Sequence, residues 1–243
     1  MLSEVMLMGG LIGIIMDRGS IWQIISWIIS STVVVLLVLP VHEFAHGLAA
    51  TKLGDPTPRY QGRMSLNPMR HIDYLGSLLI FLIGFGWAKP VQVDARYFKN
   101  PKGGMAITAL AGPLSNIIVA FISSFLYSAL RFVYVLTLPY GFWLSVINFF
   151  ALVFYYITII NISLAVFNLV PIPPLDGSKI LAVLLPDRIY YQLMRYERYF
   201  MIVLMALLFY GSSFSSFLDR IDAGIYSIFQ YVTWLPFSLI LGA

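Results

Sequence analysis

Long stretches of this chain carry no charged side chain at all. Ile21 to Val41, Met105 to Leu130, Phe142 to Val170, Phe200 to Phe217 and Ala223 to Ala243 are each apolar and uncharged. The hydrocarbon layer of a bilayer is about 30 Å thick and takes about 20 residues of helix to cross, so each is a candidate span. Val5 to Met16 and Leu75 to Trp87 are shorter and read as tilted spans, re-entrant pieces or surface segments. With 60% hydrophobic and 11% charged residues and a mean hydropathy of +0.86, the chain is an integral membrane protein. That composition excludes a disordered regulator and a nucleic-acid binder, and the lack of cysteine excludes a disulfide scaffold.

The net charge of +4 therefore bears on topology rather than on an acidic partner. Lys52, Arg59, Arg63, Arg70, Lys89, Arg96, Lys99 and Lys102 lie between the first two long runs, and Lys179, Arg188, Arg195 and Arg198 follow Pro174. Arg18, Arg131 and Arg220 fall on the other side if the first short run spans and Leu75 to Trp87 dips in and returns. The basic side is expected to be cytoplasmic. No Lys or Arg precedes Arg18, so the N-terminal run lacks a signal peptide's basic region and is read as retained. Trp22, Trp27, Trp143 and Trp234 lie near predicted span ends, as interfacial anchors do.

At the end of the first long run the chain reads His42-Glu43-Phe44-Ala45-His46. On a helix this stacks two imidazoles on one face, spaced to grip one metal ion, with Glu43 displaced toward a water that the ion would activate. A tetrahedral zinc needs a further protein ligand. His71, Asp73, Asp55, Glu197, Asp219 and Asp222 are available, but Asp176 stands out. It closes Asn168-Leu-Val-Pro-Ile-Pro-Pro-Leu-Asp176-Gly177, where three prolines forbid regular helix directly after an apolar run. Broken backbone at that depth lines a cavity or is buried in protein. His71 reads as an alternative ligand or as a group that orients one.

A third polar insertion is Gly112-Pro113-Leu114-Ser115-Asn116, with Gly112 and Asn116 one turn apart on a shared face. Close helix packing and contact with substrate are both open there, and equally for Asn161 and Asn168. Between Lys52 and Gly104 the chain is rich in Gly, Pro, Asn and Asp, with short alternating pieces at Arg59 to Leu66 and Pro90 to Ala95 that read as edge strands or plain connector.

Together HEFAH, GPLSN and NLVPIPPLDG, in that order on three successive runs, resemble the site-2 protease family of intramembrane zinc metalloproteases. Gly54-Asp55, Leu66-Asn67-Pro68, His71-Ile72-Asp73 and Gly86-Trp87-Ala88-Lys89-Pro90 resemble its compact prokaryotic subgroup, without a PDZ or CBS domain. The resemblance covers about residues 21–190. It implies one zinc per chain held by His42, His46 and Asp176, with Glu43 as general base and acid. It also implies that Asn116 helps hold or polarise the substrate, and Gly112 and Asn168 are expected substrate contacts beside it. The expected fold is an all-α polytopic membrane protein, a single domain over 1–243. It has five to six transmembrane helices, with a three-helix catalytic core, the core region covering about 21–190, and a small membrane-associated β element. Residues 52–104 form a cytoplasmic or re-entrant loop region, and 199–243 form C-terminal spans. The expected activity is hydrolysis of peptide bonds in or near transmembrane segments, in a prokaryotic cell membrane, with the site toward the cytoplasm. The partners are a transmembrane substrate and the lipid bilayer, with no nucleic acid. The competing class is a non-proteolytic zinc-binding channel or transporter, because broken helices with buried polar groups also mark transport sites.

Overall fold

The computed structural model describes residues 10–138, 140–186, 188–189, 192 and 195–242. These form helices α1 (Leu11–Met16), α2 (Ile21–Lys52), α3 (Thr57–Tyr60), α4 (Tyr74–Ile83), α5 (Pro101–Thr137), α6 (Gly141–Asn168), α7 (Asp176–Leu181), α8 (Glu197–Tyr210) and α9 (Ser212–Leu241). Among the described residues α2, α5, α6 and α9 are long and apolar enough to cross a membrane. The chain is all-α and polytopic.

The long helix α2 begins with a capping box, in which Ser20 and Gln23 satisfy each other's backbone N–H groups. Val34–Val38 form a π turn and Pro40 follows at once, where the regular ladder is already interrupted, so the proline does not end the helix. The helix continues through HEFAH to Lys52, placing both histidines well inside it rather than at its end. α2, α5 and α6 pack on one another as the central bundle. Ser30 Oγ donates both to Ser26 O in its own helix and to Val153 O of α6 at 3.0 Å, a buried polar link between helices.

At the C-terminal end the spans differ from those expected. Gly211 separates α8 from α9, so Phe200 to Phe217 is not one span. The fourteen residues of α8 reach only about 21 Å, short of a bilayer core. Asp219, Arg220 and Asp222 lie inside α9 rather than in a loop, because Asp222 is buried against α6 and accepts a hydrogen bond from Ser163 Oγ at 2.5 Å. Farther along, Thr233 bonds Ser128 and Ser124 of α5 at 2.9 and 3.2 Å, and Arg131 stacks over Trp234. α9 therefore runs parallel to α5, with its first turns beside Phe167 and Leu175. Arg220 consequently lies nearer the HEFAH end of the bundle, not at the opposite end with Arg131.

The segment after His71 dips and returns. α4 descends along α2 as far as Trp27, whose indole N–H donates to Phe81 O at 2.7 Å. Trp27 is thus buried and is not an interfacial anchor. Gly84, at φ +79°, reverses the chain, and the return strand of chain lies so close to α4 that a Cβ at Gly86 would overlap the Gly76 carbonyl. The loop closes where Lys89 N–H donates to His71 O at 2.7 Å. Of the N-terminal run Val5 to Met16, residues 5–9 lie outside the described residues and the remainder contains only the six-residue α1.

No β-strand forms among the described residues, which corrects the expected β element. Arg59 to Leu66 begins as the helical turn α3, and its backbone bonds are local, such as Gly62 N to Arg59 O and Arg63 N to Pro58 O. Pro90 to Asp94 is extended, but Pro90 has no N–H and the neighbouring amides bond to side chains instead of to a second strand.

Candidate metal centre

His42 and His46 lie one turn apart on α2, so their rings meet at a centroid separation of 4.7 Å. The proline-broken loop after α6 carries Asp176 to the same point at the start of α7. His42 Nε2 and His46 Nε2 are 3.0 Å apart, and Asp176 Oδ2 is 3.6 Å from the first and 3.1 Å from the second. All three residues are buried, and they are the group of potential metal ligands found among the described residues.

This triangle fits zinc. Donors held tetrahedrally at about 2.0–2.1 Å from an ion stand roughly 3.3 Å from one another. The far side of each ring is also committed. His46 Nδ1 lies 2.7 Å from Thr108 O, an acceptor, so the proton sits on Nδ1 and Nε2 presents a lone pair. His42 Nδ1 faces Asn116 Oδ1 at 3.3 Å in the same sense. Two lone pairs and a carboxylate oxygen converging in a buried space are a donor set that a cation satisfies. Lys179 Nζ, one turn along α7, holds the other Asp176 oxygen at 3.0 Å.

Glu43 lies beside the group and not in it. Its Oε2 accepts from Val91 N–H at 2.9 Å, and it lines the same cavity of about 440 Å³ as His42, His46 and Asp176. Asn168 and Glu197 also line this cavity, with the returning segment Phe85 to Val93 forming much of its wall. Asn168 Nδ2 donates to Leu164 O at 2.8 Å. Asn116 is fully buried behind His42 and reaches the ring rather than the cavity wall.

Gly112 sets how closely α5 approaches α2. A Cβ there would stand 2.5 Å from His46 Cε1 and 2.6 Å from His42 Cε1, nearer than carbon atoms pack. Gly112→Ala is expected to displace both rings and weaken zinc binding by about 10- to 100-fold, the range typical of disturbing a ligand's support, as measured by competition with a fluorescent chelator.

The other candidates have different work. His71 is fully buried with Nε2 donating to Ser65 O at 2.7 Å. Asp73 caps α4 through Gly76 N–H at 2.8 Å. Asp55 bonds two backbone amides, and Asp222 bonds Ser163. The sequence reading missed the Thr108 carbonyl, the Val91 amide and Lys179. Only the last had a signal, a cation three residues after the aspartate.

Residues 30–211 match peptidase family M50. The chain belongs to that family. It is 39% identical over 176 residues, 72% of this chain and 78% of the relative, to the protein of Bacillus subtilis (strain 168) named "Putative zinc metalloprotease YwhC". Rip2 of Mycolicibacterium smegmatis and MJ0611 of Methanocaldococcus jannaschii bear the same kind of name. Their identities are 28% and 30%, over 58% of this chain in both cases and over 52% and 62% of their own lengths. No solved structure matches. An M50 chain with this buried His-His-Asp group and four potential membrane helices is an intramembrane zinc metalloprotease.

Proposed function

We propose that His42, His46 and Asp176 hold the zinc and that Glu43 moves the proton during cleavage of membrane-embedded substrates. The observation that carries this reading is the convergence of three buried donors beside a glutamate that does not join them. Zinc bound there supplies a water acidified toward a pKa of about 7 and a Lewis acid for the peptide carbonyl. Glu43, on the cavity side of α2, takes the proton of the attacking water and returns it to the leaving amine. A transporter would use such a glutamate as a ligand or gate, whereas here its carboxylate rests on a backbone amide.

Substrate binds as extended chain. A helical peptide bond is shielded, and unwinding it in apolar surroundings frees N–H and C=O groups that cost several kcal/mol unless they are met. The non-helical Phe85 to Val93 wall offers backbone partners for strand addition, and Asn168 lines the same cavity. Gly112 and Asn116 act on substrate through the ring positions they set. The bias of Lys and Arg toward the HEFAH end supports the reading that the cavity opens toward the cytoplasm.

Removal of the metal tests the reading. In proteoliposomes carrying a fluorogenic transmembrane peptide, 1,10-phenanthroline is expected to abolish cleavage, and added Zn²⁺ but not Mg²⁺ to restore it. Cleavage that persists in protein shown to be metal-free would overturn the assignment.

A further inference from the structure

Asp55 is a buried carboxylate near the cavity that the metal centre does not use. It follows α2 by three residues, is fully buried, and its bonds run to backbone amides: Oδ1 accepts from Thr57 N–H at 2.9 Å and Oδ2 from Asp94 N–H at 2.8 Å. The second bond fastens one end of the wall that substrate must meet. Lys89 N–H on His71 O and Val91 N–H on Glu43 Oε2 fasten the other end. Between these ties the N–H groups of Gln92 and Val93 and the carbonyls of Val91, Gln92 and Val93 have no hydrogen-bond partner among the described residues. Val91, Gln92 and Val93 all line the cavity. A short extended edge is thus stretched between the helix that carries both histidines and the loop leading into α5.

We propose that Asp55 is a positioning residue for substrate: it fixes the Asp94 end of this edge so that the open backbone groups of residues 91–93 stand ready for an extended peptide. The inference rests on the protease reading. A carboxylate suits the task because two N–H groups point at it and each needs its own acceptor oxygen. An amide side chain offers one oxygen and turns a donor toward the other N–H. Losing the Asp94 tie leaves α2 and the zinc ligands in place but lets the edge move, so the loss falls on substrate binding.

The test compares wild-type and Asp55→Asn protein, zinc-loaded in proteoliposomes with the transmembrane peptide. Asp55→Asn is expected to raise KM about tenfold, as the loss of one hydrogen-bond tie allows, with kcat within threefold and zinc content unchanged. A merely structural role would lower zinc content and kcat together and leave KM alone, and that result overturns the proposal, as does an unchanged KM. Hydrogen exchange on the wild-type protein gives a reading that does not depend on the variant's folding. The Asp94 amide is expected to exchange at least ten times more slowly than those of Gln92 and Val93, and equal rates would sink the proposal. If Glu43→Gln abolishes cleavage while Asp55→Asn changes nothing, Asp55 fails and the protease reading stands. If the wild type does not cleave, the protease reading fails and the exchange rates alone decide whether Asp55 holds the edge.

Discussion

Glu43→Gln is expected to lower kcat by about 10²- to 10⁴-fold while leaving zinc stoichiometry intact, because proton transfer by a placed side chain contributes that much and ligation does not involve this residue. The substitution is mild for the fold. A glutamine oxygen still accepts from Val91 N–H, so the contact that holds the cavity wall survives, and what is lost is a base. Zinc content by elemental analysis and cleavage of a transmembrane peptide by mass spectrometry separate the two. Undiminished cleavage would remove Glu43 from the mechanism, and loss of zinc would make it a ligand.

Asp176→Ala is expected to act one step earlier, by emptying the site. Disturbing groups that merely support a ligand costs about 10- to 100-fold in metal affinity, so deleting a ligand costs more than about 100-fold. Two effects add to the missing oxygen. The remaining imidazoles lose the negative charge that offsets a divalent cation, and the Lys179 cation stays close to the site and repels the ion. A chelator competition should show the weakened affinity, with cleavage falling in parallel and recovering only in part at high zinc. Retention of tight zinc binding would point to another carboxylate, and Glu197, which lines the same cavity, is the residue to change next.

The parts of this protein legible in its sequence are those whose physics is local. Two histidines four residues apart share a helix face wherever that helix goes, so the pair needed no tertiary information. Asp176 was legible through chemistry, since a carboxylate beyond three prolines at the end of an apolar run demands a reason. Gly112 was legible as a place of close approach, but not what approaches it. The Thr108 carbonyl left no trace because every residue has one. The errors have the same origin. Asp219, Arg220 and Asp222 looked like a loop between spans, yet burial of Asp222 against Ser163 is a contact between residues far apart in the chain. The true break, Gly211, sits within an otherwise apolar run. Arg59 to Leu66 alternates like a strand, but Pro58 and Pro68 flank it with residues that donate no backbone hydrogen bond, and the turn closes on itself.

Gly112 does more than make room for two rings. It leaves room for the proposed ion where the first long helix meets the second and where the loop after the third arrives, so one cation held there would tie together parts of the chain far apart in sequence. This polypeptide has no cysteine and so cannot crosslink itself through sulfur. An ion held by His42, His46 and Asp176 would serve in that capacity, closing a long loop that the unfolded chain would leave open. Resistance to heat and to added protease should therefore climb with free zinc concentration, as it would in a small protein whose bridge is being oxidised.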